Sequence, residues 1–334
     1  MTRFSLSRRH LLGAGAAGLT LGALGVGRAQ AQTAAQTAVG LQLSWLHSVQ
    51  FAGSYIAQQN GWWSDEGLAV SLMQGGPNAP VEPPVVAGQA LVGISAADYT
   101  AAAVAQGAPF RIIAVAMQKN PFVIASLSDA PIRQPSDLPG KRIGMATANT
   151  PVLQALCTLN GIDISGIEMI PTQYSAQPLI AGEVDGLLCW ETDLPVAMAM
   201  QGIGAETMLM ADHGYALHSQ TYIATEDSLA NRRAELLALM RGEIRGWEAY
   251  RADTAAAARL TVDMFPDAGL DLPTQEMQAD RQVPLMFSDL TDAHGFGWWT
   301  DATVADNIRT LSLLGREVTP DLWDRSILDE IHGG

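Results

Sequence analysis

Strand-like and helix-like runs take turns along most of this chain, and glycine or proline stands at nearly every joint between them. The stretch 41–45 alternates as a strand, while 53–60 has helical spacing and stops at Gly61, a residue suited to the left-handed turn past a helix end. Further strands are expected over 69–73, 90–94 and 110–116. The helices between them are opened by Pro83-Pro84 and by Ser95 with Asp98 three residues on, and closed by Gly88 and Gly107. The same grammar restarts after the Pro-rich connection 131–139, with strands expected over 141–145, 167–170, 184–189 and 206–210. Helices begin there at Thr150-Pro151, Ser175 and Asp193. Strands separated by helices need crossover connections, and a parallel sheet built that way needs helices on both faces. Two such runs predict an α/β fold of two lobes, each a parallel-type sheet flanked by helices, with a ligand cleft between them. From about Asn231 the pattern becomes helical, over 232–251, 254–264 and 303–314, and reads as covering helices.

The first 31 residues read as an address. Ser7-Arg8-Arg9-His10-Leu11-Leu12 is a twin-arginine-like n-region, 11–27 is a Gly/Ala-rich apolar run, and Ala29-Gln30-Ala31 fits a cleavage site. That run is short and weakly apolar for a span needing about 20 residues. Cleavage near Ala31, export to the periplasm and no membrane insertion afterwards are therefore expected. No cysteine stands near the cleavage site to carry a lipid. The segment removes four arginines and no acid, which leaves 15 basic against 34 acidic residues, a charge of −19. Such a surface argues against nucleic acid or anionic membrane as a partner. Cys157 and Cys189 are too few for a disulfide scaffold or a metal cage, and read as two buried thiols.

Three details within 41–80 resemble the NMT1/THI5-like solute-binding family: Trp45 at the end of the first strand, the helix break Gly61-Trp62-Trp63, and Glu66-Gly67-Leu68 leading into strand two. The resemblance implies the periplasmic substrate-binding component of an ABC importer, monomeric, working with permease subunits, with no cofactor and no catalysis. It also implies a discontinuous first lobe over 38–124 and 222–334, a second lobe over 125–221, and two hinge crossings near 124–128 and 220–225. The pyrimidine-forming members resemble this fold and use a His six residues after the strand-one Trp. Here that position is Phe51, and their Cys-rich stretch is absent, so the sequence departs from the synthase pattern.

In open parallel sheets the ligand crevice lies outside the carboxyl ends of the strands. That rule selects Trp45, Gln50 and Phe51 after strand one, Asn78 after strand two, Ser95 and Tyr99 after strand three, and Gln118 after strand four. In the second lobe it selects Thr147, Asn149, Tyr174, Trp190 and Glu191. Trp45 and Trp190 can each offer a flat face to a planar ring. Ser95, Thr147, Asn149 and Asn78 lie where helices start, and caps explain such types equally well. Glu191 discriminates most between ligands: a carboxylate accepts hydrogen bonds from ring amino or N–H groups and repels an oxyanion. The favoured solute is a planar heteroaromatic, a thiamin pyrimidine precursor or a flavin. The alternatives are an alkanesulfonate, taurine or nitrate, for which these loops offer only Lys119 as a cation, a pyrimidine synthase, and a sensor subunit that presents ligand to a membrane receptor.

Overall fold

The computed structural model describes residues 36–333, so the address segment read over 1–31 lies outside the described residues. Among the described residues ten strands form two five-stranded sheets. In the first, β1 (Thr37–Gln42), β2 (Leu68–Met73), β3 (Val92–Ala96) and β4 (Phe110–Met117) all run the same way. In the second, β6 (Arg142–Met145), β7 (Glu168–Pro171), β8 (Gly186–Trp190) and β9 (Ala205–Leu209) do the same. The remaining strands, β5 (Phe122–Leu127) and β10 (Ser219–Thr225), are antiparallel to their neighbours. The orders are β2-β1-β3-β10-β4 and β7-β6-β8-β5-β9, so each sheet takes one reversed strand in the equivalent slot.

Both sheets are therefore mixed rather than purely parallel, and the chain path gives the reason. β4 ends at the carboxyl edge of the first sheet, four residues follow, and β5 starts at the corresponding edge of the second. A strand that begins at that edge can only run away from it. The same holds for β9, the connection 210–218 and β10. The passages between sheets thus lie at 118–121 and 210–218, somewhat before the 124–128 and 220–225 expected, because those stretches are themselves strands. β1 also lies earlier than 41–45, ending at Gln42, so Trp45 stands in the loop beyond it.

Asn120 ties the two passages together. Its buried amide donates to Leu217 O and Ser219 Oγ, both at 2.9 Å, and its Oδ1 accepts from the Phe122 N–H at 3.0 Å. Every polar atom of that side chain is used.

Against the first sheet, the helix Ala52–Gln59 packs on the long helix Arg233–Ala252 at backbone distance. A Cβ on Gly246 would lie 2.0 Å from Gly53 O, and one on Gly53 would enter the Trp247 indole at 2.3 Å. Only glycine permits that approach. Beneath this contact Tyr222 Oη donates to Glu243 Oε2 at 2.5 Å, and Trp247 Nε1 donates to Tyr222 Oη at 2.7 Å. Burial pushes the Glu243 carboxyl up to about 7, opposed by the hydrogen bonds it accepts from Tyr222 and Trp247. Trp63, Trp298 and Trp299 are core residues, while Trp62 is only partly buried and carries the Arg245 guanidinium over its ring. Cys157 and Cys189 are free, buried thiols, and burial drives both pKa values up. Among the described residues no helix is long and apolar enough to cross a membrane.

Candidate functional site

The crevice edge is built from loops that follow the carboxyl ends of the strands. The loop after β1 and the loop after β2 touch backbone to backbone: Gly75 N–H donates to Trp45 O at 3.1 Å, and a Cβ on Gly75 would fall 2.3 Å from Leu43 O. This contact holds Trp45 outward, 47% exposed. Asn78 is exposed at the corner of the turn closed by Ala79 N–H to Gly76 O. Tyr99, in the first turn of the helix Ala97–Ala105, is 66% exposed. Thr147 and Asn149 lie in a short 3-10 turn after β6, the first exposed and the second half-buried.

Several expected ligand contacts have other employment. Phe51 is fully buried in the core, because the 3-10 turn Val49–Phe51 folds inward and is anchored by Val49 N–H to Gln275 Oε1 at 2.7 Å. It cannot meet a solute. Gln50, in the same turn, is half-buried. Gln118 spends its amide on Val115 O and Trp298 O, at 3.0 and 3.1 Å. Ser95 is buried and donates to Glu82 Oε1. His47, which was not among the expected contacts, stacks on Phe265 with ring centroids 3.8 Å apart and meets Tyr55 Oη through Nδ1 at 3.0 Å, and its burial lowers its pKa.

On the second sheet Trp190 ends β8 half-buried, edge-on to Phe122 with centroids 6.3 Å apart. Phe122 meets Tyr215 in the same way, so three aromatic rings adjoin where the sheet opens. Tyr174 is exposed and donates through Oη to Asp193 Oδ2 at 2.6 Å. Glu191 is paired: its Oε1 accepts from Arg281 Nη1 at 2.6 Å, while Oε2 is buried with no hydrogen-bond partner among the described residues. Arg281 lies on the helix Leu272–Met286, which also touches the helix Leu194–Met200 of the second sheet.

Sequence reasoning missed Arg281, Glu82, Asp98 and Tyr215. Arg281 comes from a helix ninety residues away along the chain, so no local signal announces it. Asp98 was expected only as part of a cap with Ser95, and that cap is not formed: Ser95 belongs to β3 and donates to Glu82, and the helix takes Ala96 as its N-cap with no side-chain bond. Burial raises its pKa, the N–H groups of Asp98 and Tyr99 and the charge of Arg316 oppose that, and Glu82 adds to it. Burial also raises Asp193, against the hydrogen bond from Tyr174. The crevice edge thus carries Glu82, Asp98, Glu191 and Asp193, whereas Lys119 is neutralised by Asp212 at 2.7 Å and Arg281 by Glu191. Among the described residues no group of three or more His, Cys, Asp or Glu could hold a metal ion.

Two topologically equivalent mixed sheets joined by two passages define the periplasmic-binding-protein class of fold. The aliphatic sulphonate binding protein SsuA of Escherichia coli superimposes with a TM-score of 0.65 at 15% identity, covering 84% of this chain and 92% of that one. The alkanesulfonate-binding SsuA of Xanthomonas axonopodis pv. citri, solved bound to MOPS, gives 0.58 at 18% identity over 87% and 99%. The chain belongs to the NMT1/THI5-like family, whose model, described as "NMT1/THI5 like", matches residues 48–257. Riboflavin-binding protein RibY of Chloroflexus aurantiacus is 24% identical over 271 residues, 78% of this chain and 76% of that relative. The 4-amino-5-hydroxymethyl-2-methylpyrimidine phosphate synthase of Legionella pneumophila is 27% identical over 145 residues, 43% of this chain and 44% of the synthase.

Proposed function

We propose that the chain is the periplasmic solute-binding component of an ABC importer, a monomer that delivers a planar heteroaromatic solute of the riboflavin or thiamin-pyrimidine type to permease subunits. The charge balance of the crevice edge carries this reading. Four carboxylates gather there, two of them already raised by burial, and each nearby cation already answers an acid, Lys119 facing Asp212, Arg281 facing Glu191 and Arg316 acting on Asp98. An oxyanion brought to such an edge finds acceptors; a solute that brings ring N–H or amino donors relieves them. The exposed faces of Trp45 and Tyr99 and the half-buried Trp190 supply area for stacking.

The likeness to a riboflavin-binding protein over most of the chain favours the same class, and the sulfonate-binding neighbours share the fold at identities too low to carry their ligand across. Binding rather than chemistry is the activity proposed, since the position six residues after Trp45 holds Phe51, sealed in the core. A thermal-shift screen with riboflavin, 4-amino-5-hydroxymethyl-2-methylpyrimidine, 1-butanesulfonate and nitrate tests the reading. A ligand at 100 times its dissociation constant stabilises by about 2.7 kcal/mol. Stabilisation by a heterocycle supports the assignment, and stabilisation by sulfonate or nitrate alone overturns it.

A further inference from the structure

Gln220 carries two separate costs at one position. Its φ of +46° makes it the one non-glycine residue with positive φ among the described residues, a conformation that glycine or asparagine ordinarily supplies. Its side chain is 2% exposed, and neither Nε2 nor Oε1 has a hydrogen-bond partner among the described residues. A buried primary amide with both ends unused is the arrangement folded proteins avoid most consistently.

The local geometry shows how this comes about. On β10, Ser219 pairs with Ala96 and Thr221 with Ser95, so Gln220 is the extra residue of a bulge. Bulges bend a strand, leave the inserted residue outside the ladder and re-aim its side chain, and they concentrate beside functional sites. Ser219 is the first residue of β10 and pairs with the last residues of β3 and β4, which places the bulge at the crevice edge. The neighbouring amide of Asn120 is fully engaged with Leu217, Ser219 and Phe122 and is not free to answer Gln220. Thr221 Oγ1, the next residue along, and Tyr215 Oη, which precedes the strand, are likewise buried without partners.

We infer that the Gln220 side-chain amide is the specificity arm of the crevice, reading the lactam or amidine edge of the planar heterocycle. This rests on the heteroaromatic reading above. A primary amide presents a donor and an acceptor side by side, and its complement is a ring edge with an acceptor beside a donor. The imide edge of an isoalloxazine, N3–H next to a carbonyl, is such an edge, and so is a ring nitrogen next to an amino group in a pyrimidine. A sulfonate offers only acceptors and would leave Oε1 facing lone pairs. The amide therefore discriminates by hydrogen-bond pattern, where Glu191 discriminates by charge.

The test titrates riboflavin and 4-amino-5-hydroxymethyl-2-methylpyrimidine calorimetrically into wild type, Gln220→Met and Gln220→Gly. Methionine keeps the volume and removes both polar groups, while glycine accepts the left-handed φ and secures a folded control should methionine pack badly. Whichever heterocycle wild type binds is expected to bind each variant about tenfold more weakly or worse. If that ligand is riboflavin, the difference between wild type and Gln220→Met should be smaller for 3-methylriboflavin, since methylation removes the ring donor and leaves only the carbonyl acceptor for Nε2. The ligand-free melting temperature of Gln220→Met should equal or exceed that of wild type, because an unpaired buried amide has been replaced by an apolar group. Equal affinity of wild type and both variants for the heterocycle sinks this inference alone. Wild type that binds neither heterocycle sinks the proposed ligand class, and this inference with it.

Discussion

Glu191→Gln removes one charge from the crevice edge while keeping the shape of the side chain, and the structure gives the sign of its effect for each ligand class. Glu191 Oε1 is committed to Arg281 Nη1 at 2.6 Å, and Oε2 is buried and free of partners among the described residues. A solute N–H that meets Oε2 makes a charge-assisted bond worth about 1.5–3 kcal/mol, against about 0.5–1.5 kcal/mol for the neutral bond left by glutamine. The loss of about 1–1.5 kcal/mol weakens a heterocycle roughly tenfold. For an oxyanion the substitution instead frees the Arg281 charge. A monoanion about 5 Å from that guanidinium gains about 3 kcal/mol at an effective dielectric of about 20, and solvent screening reduces this to about 1 kcal/mol or so. The reduction is needed because the Arg281 side chain is 30% exposed. Isothermal titration of riboflavin and 1-butanesulfonate into both proteins reads the two signs directly. Riboflavin binding that is unchanged or tighter in Glu191→Gln would refute the role given to Oε2.

Three further outcomes follow from the packing. Glu243 is raised from its ordinary 4.5 to about 7, so between those values the folded state holds a proton that the unfolded chain has released. Its contribution is fully present below about pH 4.5 and is lost as pH rises through about 7, on the order of 3 kcal/mol, and Glu243→Gln should flatten the pH dependence of the urea midpoint between pH 5 and 8. An unaltered slope in the variant would place the titration elsewhere. Gly246→Ala drives a methyl group onto Gly53 O and should destabilise by about 1–3 kcal/mol or more, seen as a lower denaturation midpoint. Asn120→Ala leaves the groups it tied unpaired and should cost roughly 2–3 kcal/mol while broadening the solution scattering profile; a compact profile with full stability would show that the amide does not hold the passages together.

The parallel strands were legible because glycine marks their joints: Gly61, Gly88, Gly107 and Gly161 all adopt positive φ where a helix gives way to the next element. The two reversed strands were not. Phe122–Leu127 is mostly apolar and Ser219–Thr225 mixes polar and apolar residues, neither follows an α-helix directly, and a local pattern cannot say which way a strand lies in its sheet. The passages expected over 124–128 and 220–225 fall almost wholly inside these strands, each of which is paired on both sides within its sheet. The crevice was legible as a set of loops, since strand polarity alone selects them. Which side chains are available there was not, because availability depends on distant partners: Trp298 O occupies Gln118, Glu82 receives Ser95, and Arg281 holds Glu191. Phe51 failed for a related reason, as its turn is drawn inward by Gln275 from a late helix. Gln220 gives no signal in one dimension, for a bulge exists only between paired strands.

The five strands of the second sheet follow one another without interruption from β5 to β9, and every route in or out of them runs through the segments 118–121 and 210–218. That half of the crevice, with Trp190, Glu191 and Asp193, is therefore a cassette with two splice points lying side by side, clasped by one asparagine. Recombination at those points would exchange one wall of the binding site as a unit and leave the other wall, including Gln220 and Glu82, in its original frame. An exchanged wall would have to meet Arg281 with an acid of its own, because Glu191 leaves with the cassette while Arg281 stays behind.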